Sequence, residues 1–322
     1  MDKVDKIAVI IPNWNGKEVL RDCLDSLLLQ SYPELEIVVV DNGSTDGSRE
    51  LLSRGYPEVR KLWLKKNTGF CNAVNLGIQK TSSPYVVLLN NDTVAEPDFI
   101  QELVNAMESE PDVFSASALL RQAHQPELVD DAGDFYCALG WAYARGKDRP
   151  CADYQQQTDI FASCGGAVIY RREVLERLKG FDTAFFAYLE DIDLGYRARL
   201  AGYRNIYVPS AVVDHLGSAA TGSRYNSFKV FHAARNSIYL IRKNMPWGQQ
   251  LINLPFLMAG YLIKTLYFTS MGFGAAYRKG LGKGFCMPLA GKKTRFHWKN
   301  LKRYTRLQME LWENTWKRIK RR

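Results

Sequence analysis

Two short β-branched runs, Ile7-Ala8-Val9-Ile10-Ile11 and Glu36-Ile37-Val38-Val39-Val40, are nearly continuous in apolar residues where a strand with one wet face would alternate. That pattern predicts strands covered on both faces of a parallel sheet. Between them Val19, Leu20, Cys23, Leu24, Leu27 and Leu28 recur at helical spacing, so the unit reads as β-α-β. Each run ends in polar residues, Pro12-Asn13-Trp14-Asn15-Gly16 after the first and Asp41-Asn42-Gly43-Ser44-Thr45-Asp46-Gly47 after the second. Ligands of open α/β sheets sit beyond the carboxyl ends of the strands, which makes these loops the expected nucleotide site. A dinucleotide dehydrogenase would carry Gly-x-Gly-x-x-Gly after the first strand, and none is present.

Val59 to Leu64 and Tyr85 to Leu89 repeat the rule, leading into Asn67-Thr68-Gly69-Phe70-Cys71-Asn72-Ala73-Val74-Asn75-Leu76-Gly77 and Asn90-Asn91-Asp92-Thr93. A carboxylate at a strand end can hold a divalent cation beside a pyrophosphate, although a lone Asp there equally suits a turn.

Further on, Phe181-Asp182-Thr183-Ala184-Phe185-Phe186-Ala187-Tyr188-Leu189 leads directly into Glu190-Asp191-Ile192-Asp193. Acids following an aromatic wall are held against a partly dry pocket, the setting of a general base. The same three acids also suit the positive end of a helix running to about Gly202, with Asp193 and Arg197 paired one turn apart. Upstream, the stretch from Asp130 to Gly146 is rich in aromatics and glycine and reads as a hairpin or loop near an acceptor. There Trp141 could stack on a sugar ring or simply pack. The paired glycines of Cys164-Gly165-Gly166-Ala167 fit a close approach of backbone to ligand.

In this order these landmarks, with Gly180-Phe181-Asp182 and Asp214-His215, resemble the family 2 glycosyltransferases of the GT-A fold, in particular bacterial rhamnosyltransferase-like members, from about Ile7 to Asn244. The resemblance implies an α/β fold with a mostly parallel central sheet flanked by helices, as a GT-A domain over 1–244 followed by a helical, basic C-terminal region over 245–322. It implies that Asp41 accepts a hydrogen bond from the pyrimidine of a nucleotide sugar, with Pro12, Asn13 and Asn15 around the base. Asn67, Asn72 and Asn91 join the donor site, and Gly165 and Gly166 lie beside the donor sugar. Asn90-Asn91-Asp92 matches a motif usually written Asp-x-Asp, so Asp92, with His215, would hold Mn2+ or Mg2+. Asp191 matches the base of an inverting transfer, with Glu190 and Trp141 on the acceptor side. By resemblance the donor is dTDP-L-rhamnose or a UDP-sugar. The missing first Asp leaves open a catalytically silent sugar-nucleotide-binding subunit.

Charge is divided unevenly. From Ala276 to Arg322 fifteen Lys and Arg face only Glu310 and Glu313, so this +13 exceeds the whole chain's +9 and the preceding residues are net acidic. Just before the tail, Leu251 to Ala275 is apolar around most of a helix, broken by Asn253, Pro255 and Lys264. A span would put Lys264 near the bilayer centre at about 2.5 to 3.5 kcal/mol. The favoured expectation is shallow in-plane insertion, with Lys264 snorkelling and the tail drawn to an anionic membrane surface; packing as core helices is the alternative. Trp298, Leu301, Tyr304, Leu307, Leu311 and Trp316 recur as on an amphipathic interfacial helix. No nucleic-acid motif accompanies the charge. Six cysteines without a Cys-x-x-Cys pair, and an N-terminus without an apolar signal, fit a cytoplasmic protein at the inner face of the membrane, acting on a saccharide acceptor carried on a lipid.

Overall fold

The computed structural model describes residues 5–217, 225–289 and 292–320. The N-terminal half runs β1 (Ile7–Asn13), α1 (Lys17–Leu28), β2 (Leu35–Asp41), α2 (Ser48–Gly55), β3 (Arg60–Trp63), α3 (Phe70–Gln79), β4 (Tyr85–Leu89), β5 (Thr93–Ala95), α4 (Phe99–Ser109) and β6 (Val113–Gln122). Then follow β7 (Gln125–Asp131), β8 (Asp134–Tyr136), β9 (Ala142–Ala144), β10 (Thr158–Ile160), β11 (Ala167–Arg171), α5 (Arg172–Arg177), α6 (Glu190–Ala201) and β12 (Arg204–His215). Four helices close the chain: α7 (Ser227–Asn244), α8 (Trp247–Ser270), α9 (Gly274–Cys286) and α10 (Leu301–Lys320).

The main sheet has the order β10-β12-β6-β11-β4-β1-β2-β3, with β5 on β12 and β7 on β6. Strands β4, β1, β2 and β3 are parallel neighbours, as the apolar runs predict. Beyond β4 the sheet is mixed, because β11 runs antiparallel to both β4 and β6. Successive side chains of a strand point to opposite faces, and on β1, β4 and most of β2 both faces are dry. Ile10, Val38, Val40, Val86 and Leu88 enter one core, while Val9, Ile11, Val39, Val87 and Leu89 enter the other. Each such burial contributes roughly 1.5 to 3 kcal/mol.

The C-terminal helices are joined to the sheet-bearing part of the chain by burial and hydrogen bonds. Tyr304, Leu307 and Leu311 of α10 enter the same core as Tyr196 and Leu200 of α6. This corrects the interfacial-helix expectation for the tail: that part of the stripe faces protein, and only Trp298, Leu301 and Trp316 of the six stay exposed. The Asn253 and Gln308 amides exchange two hydrogen bonds of 2.8 Å, which locks α8 to α10. Helix α9 crosses α7 closely because Gly280 and Gly284 face it: a Cβ at either would come within 2.5 Å of a carbonyl oxygen of α7.

Lys264 does not snorkel outward. Its Nζ lies 5.3 Å from the Trp141 ring centroid, and the Trp141 indole N–H donates to Gly260 O at 3.2 Å. Burial pushes the Lys264 pKa down to about 8. The opposite face of α8 is left apolar and exposed, with Trp247, Leu251, Met258, Leu262 and Leu266 all more than half accessible. Among the described residues α8 is the one helix long and apolar enough to cross a membrane. Arg321 and Arg322 of the basic tail lie outside the described residues.

Candidate active site

A cleft of about 410 Å³ opens at the carboxyl ends of β1, β2 and β4, walled on its far side by the segment before α6 and by the start of α7. Its floor is a chain of amides. Asn91 Nδ2 donates to Asn13 Oδ1 at 2.6 Å, and Asn13 Nδ2 donates to Asp41 Oδ2 at 3.3 Å. Asn42, on the loop after β2, accepts from the Thr68 N–H at 2.9 Å and donates to Asn67 Oδ1 at 3.1 Å, so it clamps the loop before α3.

Most of the expected donor residues line this cleft: Pro12, Asn13, Asn67, Asn91, Gly165 and Gly166 do, joined by Asn90. Asp41 is a correction. It is fully buried beneath the floor, with its carboxylate taken by Arg49 Nε at 2.8 Å, Ser44 N at 3.2 Å and Asn13, so it braces the loops and does not line the cleft. Asn15 is a second correction. It ties two loops, accepting from Thr45 N at 2.8 Å, and stays exposed at their outer side. Asn72 is a third, since the turn of α3 that carries it leaves it exposed and away from the cleft. Trp141 is the fourth: its ring is covered by α8, outside the cleft walls.

The candidate metal ligands do come together. Antiparallel pairing of β5 with β12 sets His215 opposite Thr93, which brings His215 Nε2 to 3.3 Å from Asp92 Oδ1. The other ring nitrogen, Nδ1, lies 2.8 Å from Asp130 Oδ2. Burial alone would lower the His215 pKa, but hydrogen bonds to Asp130 and Asp92 win and hold it up at about 9. A carboxylate beside an imidazole whose second nitrogen is oriented by another carboxylate is a donor set that fits a divalent cation, which would replace the proton between Asp92 and His215. Lys229 of α7 lines the same cleft and feels the charge of Asp92.

The aromatic wall divides. Phe181 and Phe185 go to the core, whereas Phe186 and Tyr188 line the cleft. Phe186, Tyr188 and Leu189 have φ of 64°, 73° and 66°, values that cost a side-chain-bearing residue about 1 to 3 kcal/mol each. Asn236 of α7 holds the segment in place, donating to the carbonyls of Phe185, Ala187 and Tyr188 at 2.9, 2.8 and 2.7 Å. The strain delivers Glu190 and Asp191 at the first turn of α6 into the cleft.

There the acids part company. Asp193 is structural: its carboxylate meets Arg197 and Lys243, both at 2.8 Å, as the helical spacing predicts for the first pair. Asp191 accepts from the Ile192 N–H at 2.7 Å and from the Gly165 N–H. Burial raises its pKa against these donors. Glu190 is buried, its Oε2 has no partner among the described residues, and burial followed by the charge of Asp191 pushes it up to about 8. Asp130, Asp131 and Asp134, at the end of β7 and the start of β8, also come to the site, Asp130 against His215 and the other two beside Cys164, although no motif marks them. Three acids within five residues was the available signal.

A family model described as Glycosyl transferase family 2 matches residues 8–179, more than half of the chain. The N-acetylglucosaminyl-diphospho-decaprenol L-rhamnosyltransferase of Mycobacterium tuberculosis is 27% identical over 270 residues, covering 76% of this chain and 86% of that protein. Among solved structures, a mannosyltransferase of Pyrobaculum calidifontis in complex with GDP-Man and Mn2+ superposes with a TM-score of 0.53 at 20% identity, over 88% of this chain and 85% of that one. GalNAc-T7 with UDP, GalNAc and Mn2+ gives a TM-score of 0.59 at 16% identity, over 75% of this chain and 48% of that one. These likenesses show the GT-A type of fold, and the chain itself belongs to glycosyl transferase family 2.

Proposed function

We propose that the chain transfers one sugar, L-rhamnose as the first candidate, from a nucleoside diphosphate to a saccharide carried on a lipid diphosphate, in the making of a bacterial surface polysaccharide. The observation that carries the reading is that one cleft presents the Asp92 and His215 pair and the Asp191 carboxylate together, at the strand ends where a nucleotide belongs. In this reading Asp191 takes the proton from an acceptor hydroxyl, whose oxygen attacks the anomeric carbon as the diphosphate leaves, with inversion. Asp92 and His215 would hold Mn2+ or Mg2+, whose charge would stabilise the leaving diphosphate. Phe186 and Tyr188 exclude water from the reacting face.

The lipid-linked acceptor is supported by the name of the mycobacterial relative and by the surface of the C-terminal helices. The exposed apolar face of α8, beside exposed Arg278, Lys279 and Lys283 on α9, suits in-plane seating on the anionic inner face of a membrane. The buried face of α8, with Asn253, Leu257 and Gly260, packs on protein, which favours seating over spanning. Thermal stabilisation across a panel of nucleotide sugars with Mn2+ tests the donor. The greatest rise is expected with dTDP-L-rhamnose, and no rise with any nucleotide sugar would refute the reading.

A further inference from the structure

Asp134 begins β8, and its backbone is fixed on both sides. Its N–H donates to Ala162 O at 2.9 Å, and its carbonyl accepts from Phe161 N at 3.2 Å and Ala162 N at 3.3 Å. These bonds set the side chain beside the Cys164-Gly165 turn: the nearest oxygens of Asp131 and Asp134 and the Cys164 sulfur all lie within 4.8 Å of one another. From there the Asp134 carboxyl is in hydrogen-bonding reach of the Asp191 carboxyl. Two carboxyls at that range repel when both are ionised and bind each other when they share one proton.

We propose that Asp134 is a positioning residue that keeps its proton and donates it in a hydrogen bond to Asp191, fixing Asp191 as an oriented carboxylate toward the acceptor hydroxyl. The proposal deepens the reading above and rests on Asp191 being the base. The asymmetry of donors decides which acid holds the proton. Asp191 is served by the N–H groups of Ile192 and Gly165, whereas no N–H donates to the Asp134 side chain among the described residues. The surroundings agree. Among the described residues the groups facing the pair are Asp131 at the end of β7, Cys164, Tyr170 on β11 and Glu190 on α6, while the cations of the same cleft, Lys229 on α7 and His215 on β12, are set toward Asp92. Lys147, the cation felt by Asp131, is itself paired with Asp130. Burial pushes Asp134 well above the usual carboxylate range, and Asp131 up to about 7. When Asp191 takes the acceptor proton the pair holds two protons and no charge, and release of one to solvent restores the starting state.

The test is the pH dependence of Mn2+-supported hydrolysis of dTDP-L-rhamnose and UDP-glucose by the full chain, followed as nucleoside diphosphate release, for Asp134→Ala, Asp134→Val and Asp134→Asn. The two variants without a donor lose a hydrogen bond to the charged base, so the acid limb of kcat is expected to move up by about one pH unit, with KM for the nucleotide sugar unchanged. Asp134→Asn still offers an N–H and is expected to keep the wild-type limb. Valine supplies the comparison if alanine leaves a chain that does not fold. An unmoved acid limb in the donor-free variants, against an inactive Asp191→Asn, overturns the proposal alone. Normal turnover by Asp191→Asn overturns the base assignment and the proposal with it.

Discussion

His215 Nε2 stands 3.3 Å from Asp92 Oδ1, on strand ends that the β5 to β12 pairing brings together from positions more than a hundred residues apart in sequence. Because Asp130 orients the same ring from behind, Asp92 and His215 would hold the cation proposed above and Asp130 would aim the imidazole at it.

Calorimetric titration of the nucleoside diphosphate with Mn2+ and with EDTA checks this. Asp92→Ala and His215→Ala are each expected to weaken binding in Mn2+, with losses that are not additive, since one ion joins both side chains. Asp130→Ala is expected to weaken metal affinity about 10- to 100-fold while leaving both ligands in place. Equal affinities with and without EDTA would remove the metal from the account.

Asn236 is expected to matter out of proportion to its distance from the chemistry, because its one amide holds three carbonyls of the strained segment before α6. Asn236→Ala should cost about 2 to 3 kcal/mol of stability, at about 1 kcal/mol per hydrogen bond, read as a lower urea midpoint. Turnover should fall more than nucleotide affinity, since the segment carries Asp191 while the loops proposed for the nucleotide follow β1, β2 and β4. A variant with wild-type turnover would show that the strain is not what places Asp191.

How far the sequence foretold these features depended on range. Ile7 to Ile11 and Val38 to Val40 announced a buried parallel sheet because burial on both faces is written locally, in uninterrupted apolar residues. Asp191, Asp92 and His215 line one cleft, and each belongs to a motif that carries the family resemblance. Asp41 was misplaced because its partner Arg49 is chosen by how two loops fold together, and nothing in Asp41-Asn42-Gly43 distinguishes a brace from a base contact. Trp141 was misplaced for the same reason: what covers it is Gly260 and Lys264 of a helix over a hundred residues downstream. The stretch after Asp130 drew attention to its aromatics, yet its carboxyls are what reach the cleft region.

Glu190 gives a pH dependence of stability. Burial, then the charge of Asp191, raises its pKa from an ordinary 4.5 to about 8, above its value in the unfolded chain. Its contribution is therefore fully present below about pH 4.5 and is lost as pH rises toward 8. Glu190→Gln, neutral at every pH, is expected to unfold at the same urea concentration as wild type near the acid end and at a higher one above pH 8. Parallel curves across that window would mean that Glu190 is ionised in the folded protein.

Sedimentation with anionic liposomes tests the membrane surface. Because α10 is built into the core, cutting the chain after Asn244 would disrupt the fold, and substitution of the exposed face is the sound comparison. Met258→Asp with Leu262→Asp and Leu266→Asp should abolish the binding that survives high salt, without lowering thermal stability. Lys279→Ala with Lys283→Ala should reduce only the salt-sensitive part. A full chain that ignores liposomes at low salt would make the apolar face of α8 a protein contact.

The most direct test of the central claim is Asp191→Asn in the purified full chain, with nucleotide binding measured by calorimetry beside turnover of the nucleotide sugar. The account predicts unchanged nucleotide affinity and turnover slower by a factor of about 10² to 10⁴, the range for loss of a positioned proton acceptor. Turnover close to that of the wild-type chain would contradict it.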